Sequence, residues 1–361
     1  MKSKIILAVI LIFSQIVLAQ SIIESFNLLW SKELDPIASV DFDGESFVAG
    51  FKDGSVHVFD SAGKQRWVFD GEEGISSIRA SNGRIAAATD SGKLLVFDEA
   101  GVVSWERMLD GKVGFPRALF FDKDFLCVGT MQDRVYLFRS NGEFLWDTEV
   151  ESYILAVGIV EDKVVVISDK KLVIFDMVGE ELSSYRFSSY ALFADIGGGE
   201  IAVSLGDDSL ILFDTNGKVK WGFELAQPIG AVSIGKNEVS FGSKNHHIYI
   251  IDFNGTQILD ATLDSPVTNI FLKEDLILAS TLAQRLYLLD ESGKILWKKS
   301  DTGALAGIGF NKPFLFLGSR EGQLALYKLV ERNIRLSYIQ GALLFLSLLV
   351  VFSLLVYSWR V

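Results

Sequence analysis

The stretch GSVHVFDSAGKQRWVFD, residues 54–70, decides the fold. Two runs of alternating apolar and polar residues flank a tight turn, Asp60-x-x-Gly63, and the second run carries Trp67. Strict alternation puts every apolar side chain on one face of an extended strand, so the phrase reads as two strands of a hairpin. An aspartate at that spacing can accept hydrogen bonds from the turn amides, while glycine takes the left-handed backbone angle at no steric cost. The phrase then returns. Its turn glycines are Gly63, Gly101, Gly142, Gly179, Gly217, Gly255 and Gly293, spaced 38, 41, 37, 38, 38 and 38 residues apart. Three residues before them stand Asp60, Asp98, Arg139, Asp176, Asp214, Asp252 and Asp290; four residues after them stand Trp67, Trp105, Trp146, Ser183, Trp221, Leu259 and Trp297. A constant period near 40 residues is the signature of a repeat architecture.

Each repeat reads as four short strands. In the unit from Ile75, ISSIRA, RIAAAT, KLLVFD and VVSWERML are separated by Asn82-Gly83, Ser91-Gly92 and Ala100-Gly101, all hairpin chemistry, and no amphipathic helix of useful length occurs between Ile37 and Leu329. Four-stranded units at this period describe an all-β fold, a β-propeller. The third strand occurs eight times. The eighth, QLALYKL (323–329), has Lys328 where the turn Asp stands elsewhere and no fourth strand after it, while NLLWSKEL (27–34) carries Trp30 at the tryptophan position before any first strand. The sequence therefore predicts eight blades over 27–329, closed by pairing of the N- and C-terminal strands, with Trp30, Trp67, Trp105, Trp146, Trp221 and Trp297 docking each blade on the next.

The phrases YLLDESGKILW (287–297), ILFDTNGKVKW (211–221) and VHVFDSAGKQRW (56–67) resemble the repeat of the pyrroloquinoline quinone (PQQ)-like, quinoprotein-type propellers. That resemblance spans about 27–329 and implies an eight-bladed fold. It speaks weakly to function, since the repeated glycines and tryptophans dock blades and touch no substrate. The family includes quinone-dependent alcohol and sugar dehydrogenases, and non-enzymatic members such as the propeller lipoprotein of the bacterial outer-membrane barrel assembly machinery. The dehydrogenases typically hold their cofactor with an adjacent-cysteine disulfide, a stacked tryptophan, calcium and long insertions. This chain has one cysteine, Cys127, within the apolar run FLCVG, and its propeller tryptophans all occupy the docking position. The expectation is accordingly no enzyme and no cofactor. Connections between blades are expected to be short, about two to seven residues.

The charge balance narrows the partners. With 46 acidic and 34 basic residues the formal net charge is −12, which disfavours nucleic acid. Residues 1–19 read as a signal peptide: Lys2 and Lys4, then an apolar stretch, then a small residue at Ala19, with an uncleaved anchor as the alternative. Residues 339–359 carry no charge over 21 residues, about 31 Å of helix, and read as a transmembrane helix after a juxtamembrane linker at 330–338, with 360–361 as a cytoplasmic tail. The propeller would then be tethered on the extracytoplasmic side of the cell membrane.

Candidate chemistry is sparse. His57, His246 and His247 are the only histidines; the adjacent pair points to opposite faces of a strand and is poorly placed to share a metal. DFDGES from Asp41 resembles the start of a calcium loop but lacks the later acidic ligand, and falls where a hairpin turn is expected. Asp41, Arg79, Asp195 and Ser233 recur at one register of the innermost strands, interrupted by Phe120 and Phe271. No Ser-His-Asp set, phosphate loop or paired-carboxylate motif is present, so no catalytic, cofactor or metal residues are assigned. The sequence points to binding: a membrane-anchored scaffold for extracytoplasmic or membrane proteins, with a receptor for sugar or cell-surface polymer and a PQQ-dependent dehydrogenase as alternatives. On the face formed by the blade-to-blade connections, Phe115, Tyr153 and Tyr190 belong to successive blades and form the candidate partner patch; the competing reading is packing at the channel mouth.

Overall fold

The computed structural model describes residues 22–273 and 275–333; the signal segment 1–19, the linker beyond Asn333, the apolar segment 339–359 and the tail expected from the sequence lie outside the described residues. Among the described residues no helix is long and apolar enough to cross a membrane.

Eight four-stranded antiparallel sheets follow one another along the chain. Blades 1 to 7 span Ile37–Phe69, Ile75–Met108, Leu119–Glu149, Ile154–Arg186, Ala191–Glu224, Ile229–Thr262 and Val267–Lys299. Blade 8 takes its three inner strands from Leu305–Asn333 and its outer strand from Ile22–Glu33, so the two ends of the chain close the ring as the strand count predicts. The closing strand is longer than NLLWSKEL alone, 12 residues, and lies beside the 11-residue strand Gln323–Asn333. Leu34 donates its amide to the Gly322 carbonyl at 2.9 Å, and Gln323 Nε2 donates to Glu33 at 3.2 Å.

The hydrophobic core lies between blades. Val48, Val56 and Val58 of blade 1 pack with Ile75, Ile78, Ile85 and Phe97 of blade 2, and the same pairing repeats around the ring until Phe47, Phe51 and Phe59 of blade 1 meet Phe316, Leu324 and Leu326 of blade 8. A blade cannot bury both its faces alone, so each depends on two neighbours.

The repeated turn works as its chemistry requires. Asp60 Oδ1 accepts the amides of Ala62 and Lys64, both at 2.9 Å, and Asp98, Asp176, Asp214, Asp252 and Asp290 do the same in their turns. Where Arg139 replaces the aspartate, Asn141 Oδ1 accepts from Glu143 instead. The glycine is required twice over at Gly142: its φ is +95°, and an added Cβ would lie 2.8 Å from the indole of Trp105. Trp30, Trp67, Trp146 and Trp221 lie over Gly63, Gly101, Gly179 and Gly255 of the following blades in the same way. In the two repeats without tryptophan, Leu259 stands against Gly293 and Ser183 reaches Gly217, donating to the Asn216 carbonyl at 2.7 Å. Trp297 meets Tyr327 and Phe26 of blade 8, where the chain continues without a turn glycine.

One sequence expectation needs correction. The blade-to-blade connections span three to five residues, shortest at 34–36, except for the one from blade 2 to blade 3, residues 109–118, which spans ten. The 41-residue interval between Gly101 and Gly142 is the trace of this insertion. It folds into the single helical element among the described residues, the 3₁₀ turn Pro116–Ala118.

Candidate partner-binding site at the channel mouth

The long connection places three consecutive residues on different tasks. Phe115, extended at the head of the 3₁₀ turn, stacks on Tyr153 with ring centroids 5.9 Å apart and planes 26° from parallel. Pro116 presents its carbonyl to Arg79 Nη2 at 2.6 Å. Arg117 turns inward and pairs with Asp195, two blades further around the ring. Pro at the first position of the turn lacks an amide that the turn could not use and arrives with its φ already set.

The eight inner strands carry, at one register, Asp41, Arg79, Phe120, Gly158, Asp195, Ser233, Phe271 and Gly309, each opposite the equivalent residue of the second strand. The polar members lock blades together. Asp41 Oδ2 accepts the Ala80 amide at 2.8 Å, Asp195 Oδ2 accepts the Ile234 amide at 2.9 Å and Ser233 Oγ accepts the Leu272 amide at 3.2 Å, in each case on the inner strand of the next blade. An inner strand is the edge of its sheet, with amides that no further strand can satisfy, and these side chains satisfy them.

Gly158 contributes no side chain at this register. Beside it a cavity of about 170 Å³ opens, lined by Arg79, Arg117, Phe120, Val157, Ile159 and Asp195 among others. Burial, with Arg79 close by, lowers the Arg117 pKa to about 10. The guanidinium stays charged at neutral pH. Although 38% of its side chain is solvent-accessible, the surrounding walls deprive it of much of its hydration. Burial pushes the Asp41 carboxyl up, against the opposing pull of Arg79.

Phe115 and Tyr153 are half-buried and both pack on the core between blades 4 and 5. Tyr190 is 56% exposed, its ring over Gly206. Asp169 joins the two tyrosine-bearing connections: its amide donates to the Tyr153 carbonyl at 3.3 Å and its carbonyl accepts from Ala191 at 2.7 Å. Its Oδ1 is buried without a hydrogen-bond partner. Burial raises the Tyr153 pKa, and Asp169 and Tyr190 add to the effect, so the phenol stays neutral. Phe115 and Tyr153 are thus brought into contact, while Tyr190 stands at the next connection.

The other sequence candidates have local roles. Asp43 closes the DFDGES hairpin by accepting the amides of Glu45 and Ser46, at 3.1 and 2.9 Å. His57 is half-buried 4.6 Å from Phe51, and burial lowers its pKa. His247 pairs with Asp260, while His246 occupies the turn at φ 76°. Cys127 is fully buried between blades 3 and 4, and burial drives its pKa up, so the thiolate is not populated. Arg117 was missed by the sequence reading, because a connection has no periodicity against which an unusual residue stands out; the 41-residue interval was the available signal.

No protein-family model matches the chain, and no curated protein matches it. Solved structures do. The chain is similar to the computationally designed Ika8 protein, with a TM-score of 0.74 at 16% identity, covering 82% of this chain and 98% of that one. It is similar to BamB from Moraxella catarrhalis, with a TM-score of 0.70 at 15% identity over 84% of this chain and 100% of BamB. It is also similar to Sqt1 from Saccharomyces cerevisiae, with a TM-score of 0.73 at 14% identity, covering 84% and 98%. The chain has the fold of an eight-bladed β-propeller. At these identities the likeness establishes architecture alone.

Proposed function

We propose that this protein is a non-enzymatic interaction scaffold, anchored by its C-terminal apolar segment with the propeller on the extracytoplasmic side, and that its partners are other extracytoplasmic or membrane proteins. The single observation that carries the reading is the ten-residue connection 109–118, the one long connection between blades among the described residues. It stacks Phe115 on Tyr153 of the next connection. Large rigid aromatic groups beside a charged pair are the composition that dominates affinity at protein interfaces. The polar residues of the inner strands are used for locking blades, which leaves them unsuited to acid–base work. BamB among the fold neighbours agrees with the resemblance of the repeat to the propeller of the barrel assembly machinery.

The test is cross-linking in the native membrane followed by identification of co-purified proteins, with wild type and the triple variant Phe115→Ala, Tyr153→Ala, Tyr190→Ala. The variant is expected to lose its partners while remaining folded and membrane-bound. Retention of the same partners, or purification of the wild type with a redox quinone and alcohol- or sugar-oxidising activity, overturns the reading.

A further inference from the structure

We infer that the cavity beside Gly158 is a carboxylate-binding site whose two recognition groups are Arg79 and Arg117. The inference rests on the scaffold reading only for the source of the carboxylate, an Asp or Glu side chain of the partner.

The two guanidiniums reach the cavity from different elements, Arg79 from the inner strand of blade 2 and Arg117 from the 3₁₀ turn of the following connection. Arg79 donates only to backbone carbonyls, those of Ile78 at 2.9 Å and Pro116 at 2.6 Å, and no carboxylate lies within ion-pair distance of it among the described residues. Arg117 uses Nη1 on Asp195. A guanidinium carries about five N–H donors in a rigid fork, so most of the donors on both side chains have no protein partner. Asp195 offsets one of the two charges; the lowered Arg117 pKa reflects burial first and the nearby Arg79 second. The chain tolerates the arrangement in a molecule of formal charge −12, where free carboxylates are abundant elsewhere.

Charge and shape select the ligand. Asp195 is committed: its Oδ2 holds the Ile234 amide and its Oδ1 accepts from Ile196 and Arg117. Asp41 is not among the residues lining the cavity. Within the lining, two guanidiniums and one carboxylate leave a single positive charge, further tempered by Asp41 acting on Arg79 from outside it, so a monoanionic carboxylate suits the balance better than a phosphate dianion. Bidentate N–H···O pairing suits the planar carboxylate. The remaining walls, Leu119, Phe120, Val157, Ile159 and Ile196, suit the methylenes of an acidic side chain. The volume of about 170 Å³ exceeds the ~30 Å³ share of one water several-fold, enough for one side chain.

The experiment uses the full chain in detergent at constant ionic strength. Binding is measured calorimetrically for a capped pentapeptide with one central Glu, its Gln counterpart, acetate and inorganic phosphate. The Glu peptide is expected to bind at least tenfold more tightly than the Gln peptide and than phosphate. Arg79→Gln, which removes a side chain bonded only to carbonyls, is expected to lose at least tenfold, and Arg117→Lys, which keeps charge without the fork, to lose less. Melting temperatures of both variants establish that they are folded; should Arg79→Gln unfold, Arg79→Lys replaces it with the same expected direction. Acetate binding as tightly as the Glu peptide supports the site with a free small acid as occupant. Equal affinity for Glu and Gln peptides, absence of carboxylate binding, tighter binding of phosphate, or unchanged affinity in a folded Arg79 variant overturns it. No partner is present in the measurement, so failure of the scaffold reading leaves this outcome standing.

Discussion

Gly142 and Trp105 show at the scale of one residue how the ring is held. The glycine's φ of +95° is strained for any residue with a Cβ, and that atom would meet the indole at 2.8 Å. The indole is itself fixed by donating Nε1 to the Ser140 carbonyl at 3.1 Å, so it cannot simply rotate away. Gly142→Ala is therefore expected to cost roughly 2 kcal/mol or more in urea unfolding, backbone strain and overpacking acting together; a variant within about 0.5 kcal/mol of wild type would show that the contact is slack. Asp41 offers a test with the opposite sign. Burial holds its carboxyl above the ordinary 3.8, outweighing Arg79 and the Ala80 and Phe42 amides. A carboxyl raised by folding binds its proton more tightly in the native state, so its ionisation lowers stability as pH rises toward the folded value. Asp252 runs the other way: the Thr256 amide depresses its pKa, and its contribution, present above the unfolded value, disappears as pH falls through the folded one. Wild type and Asp41→Asn share that acid loss, so their difference isolates Asp41. We expect Asp41→Asn, whose side-chain oxygen can still accept from Ala80, to melt no lower than wild type at pH 7, with the gap closing by pH 3. A clearly lower melting point at pH 7 would mean that attraction to Arg79 outweighs burial.

At the scale of elements, the strand Ile22–Glu33 does for blade 8 what each fourth strand does for its own blade, but it is supplied from the other end of the chain. Its Trp30 lies against Gly63 and contacts Phe59 and Phe316, spanning the joint between the first and last blades. A chain lacking residues 20–34 loses that packing and bares the edge of Gln323–Asn333, a loss on the order of 3 kcal/mol or more. Limited proteolysis and melting should show an aggregated or readily cut protein; unchanged melting would contradict the closure. This joint was legible in the sequence because Trp30 and Lys328 each break a strict pattern, a docking residue without a preceding hairpin and a third strand without a turn. The inner-strand register was equally legible, since every blade places it opposite a fixed residue of its second strand. What those polar residues do was not. Whether Asp195 faces solvent or caps the Ile234 amide depends on the offset between neighbouring blades, which no single repeat encodes. The 3₁₀ turn Pro116–Ala118 escaped for a related reason: three extra residues among intervals of 37 and 38 are visible, but where they go is decided by contact with Tyr153 and Arg79 of other blades.

For the whole molecule, the decisive fact is the direction in which the chain leaves the ring. The last strand is a third strand, so by Leu329 the chain stands on the side that carries the Asp-x-x-Gly turns, opposite the connections that present Phe115, Tyr153 and Tyr190. Between Leu329 and the apolar run that begins at Ile339 lie nine residues, ten residue-to-residue steps with a reach of at most about 36 Å fully extended. If 339–359 spans a bilayer, the turn side must look toward it and the aromatic side away, free to meet partners. Asn254 reports on this arrangement. It occupies the turn between the third and fourth strands of blade 6, it is exposed, and with Gly255 and Thr256 it forms an acceptor sequence for glycans. Single cysteines placed at Asn254 and at Tyr190, in a Cys127→Ala background, should differ in accessibility to a bulky impermeant maleimide when the full chain is embedded in vesicles with the propeller outward. We expect Tyr190→Cys to label quickly and Asn254→Cys several-fold more slowly, with the difference vanishing in detergent. Fast labelling at Asn254 with protection at Tyr190 would invert the orientation and place the aromatic surface against the membrane, where a soluble partner could not reach it.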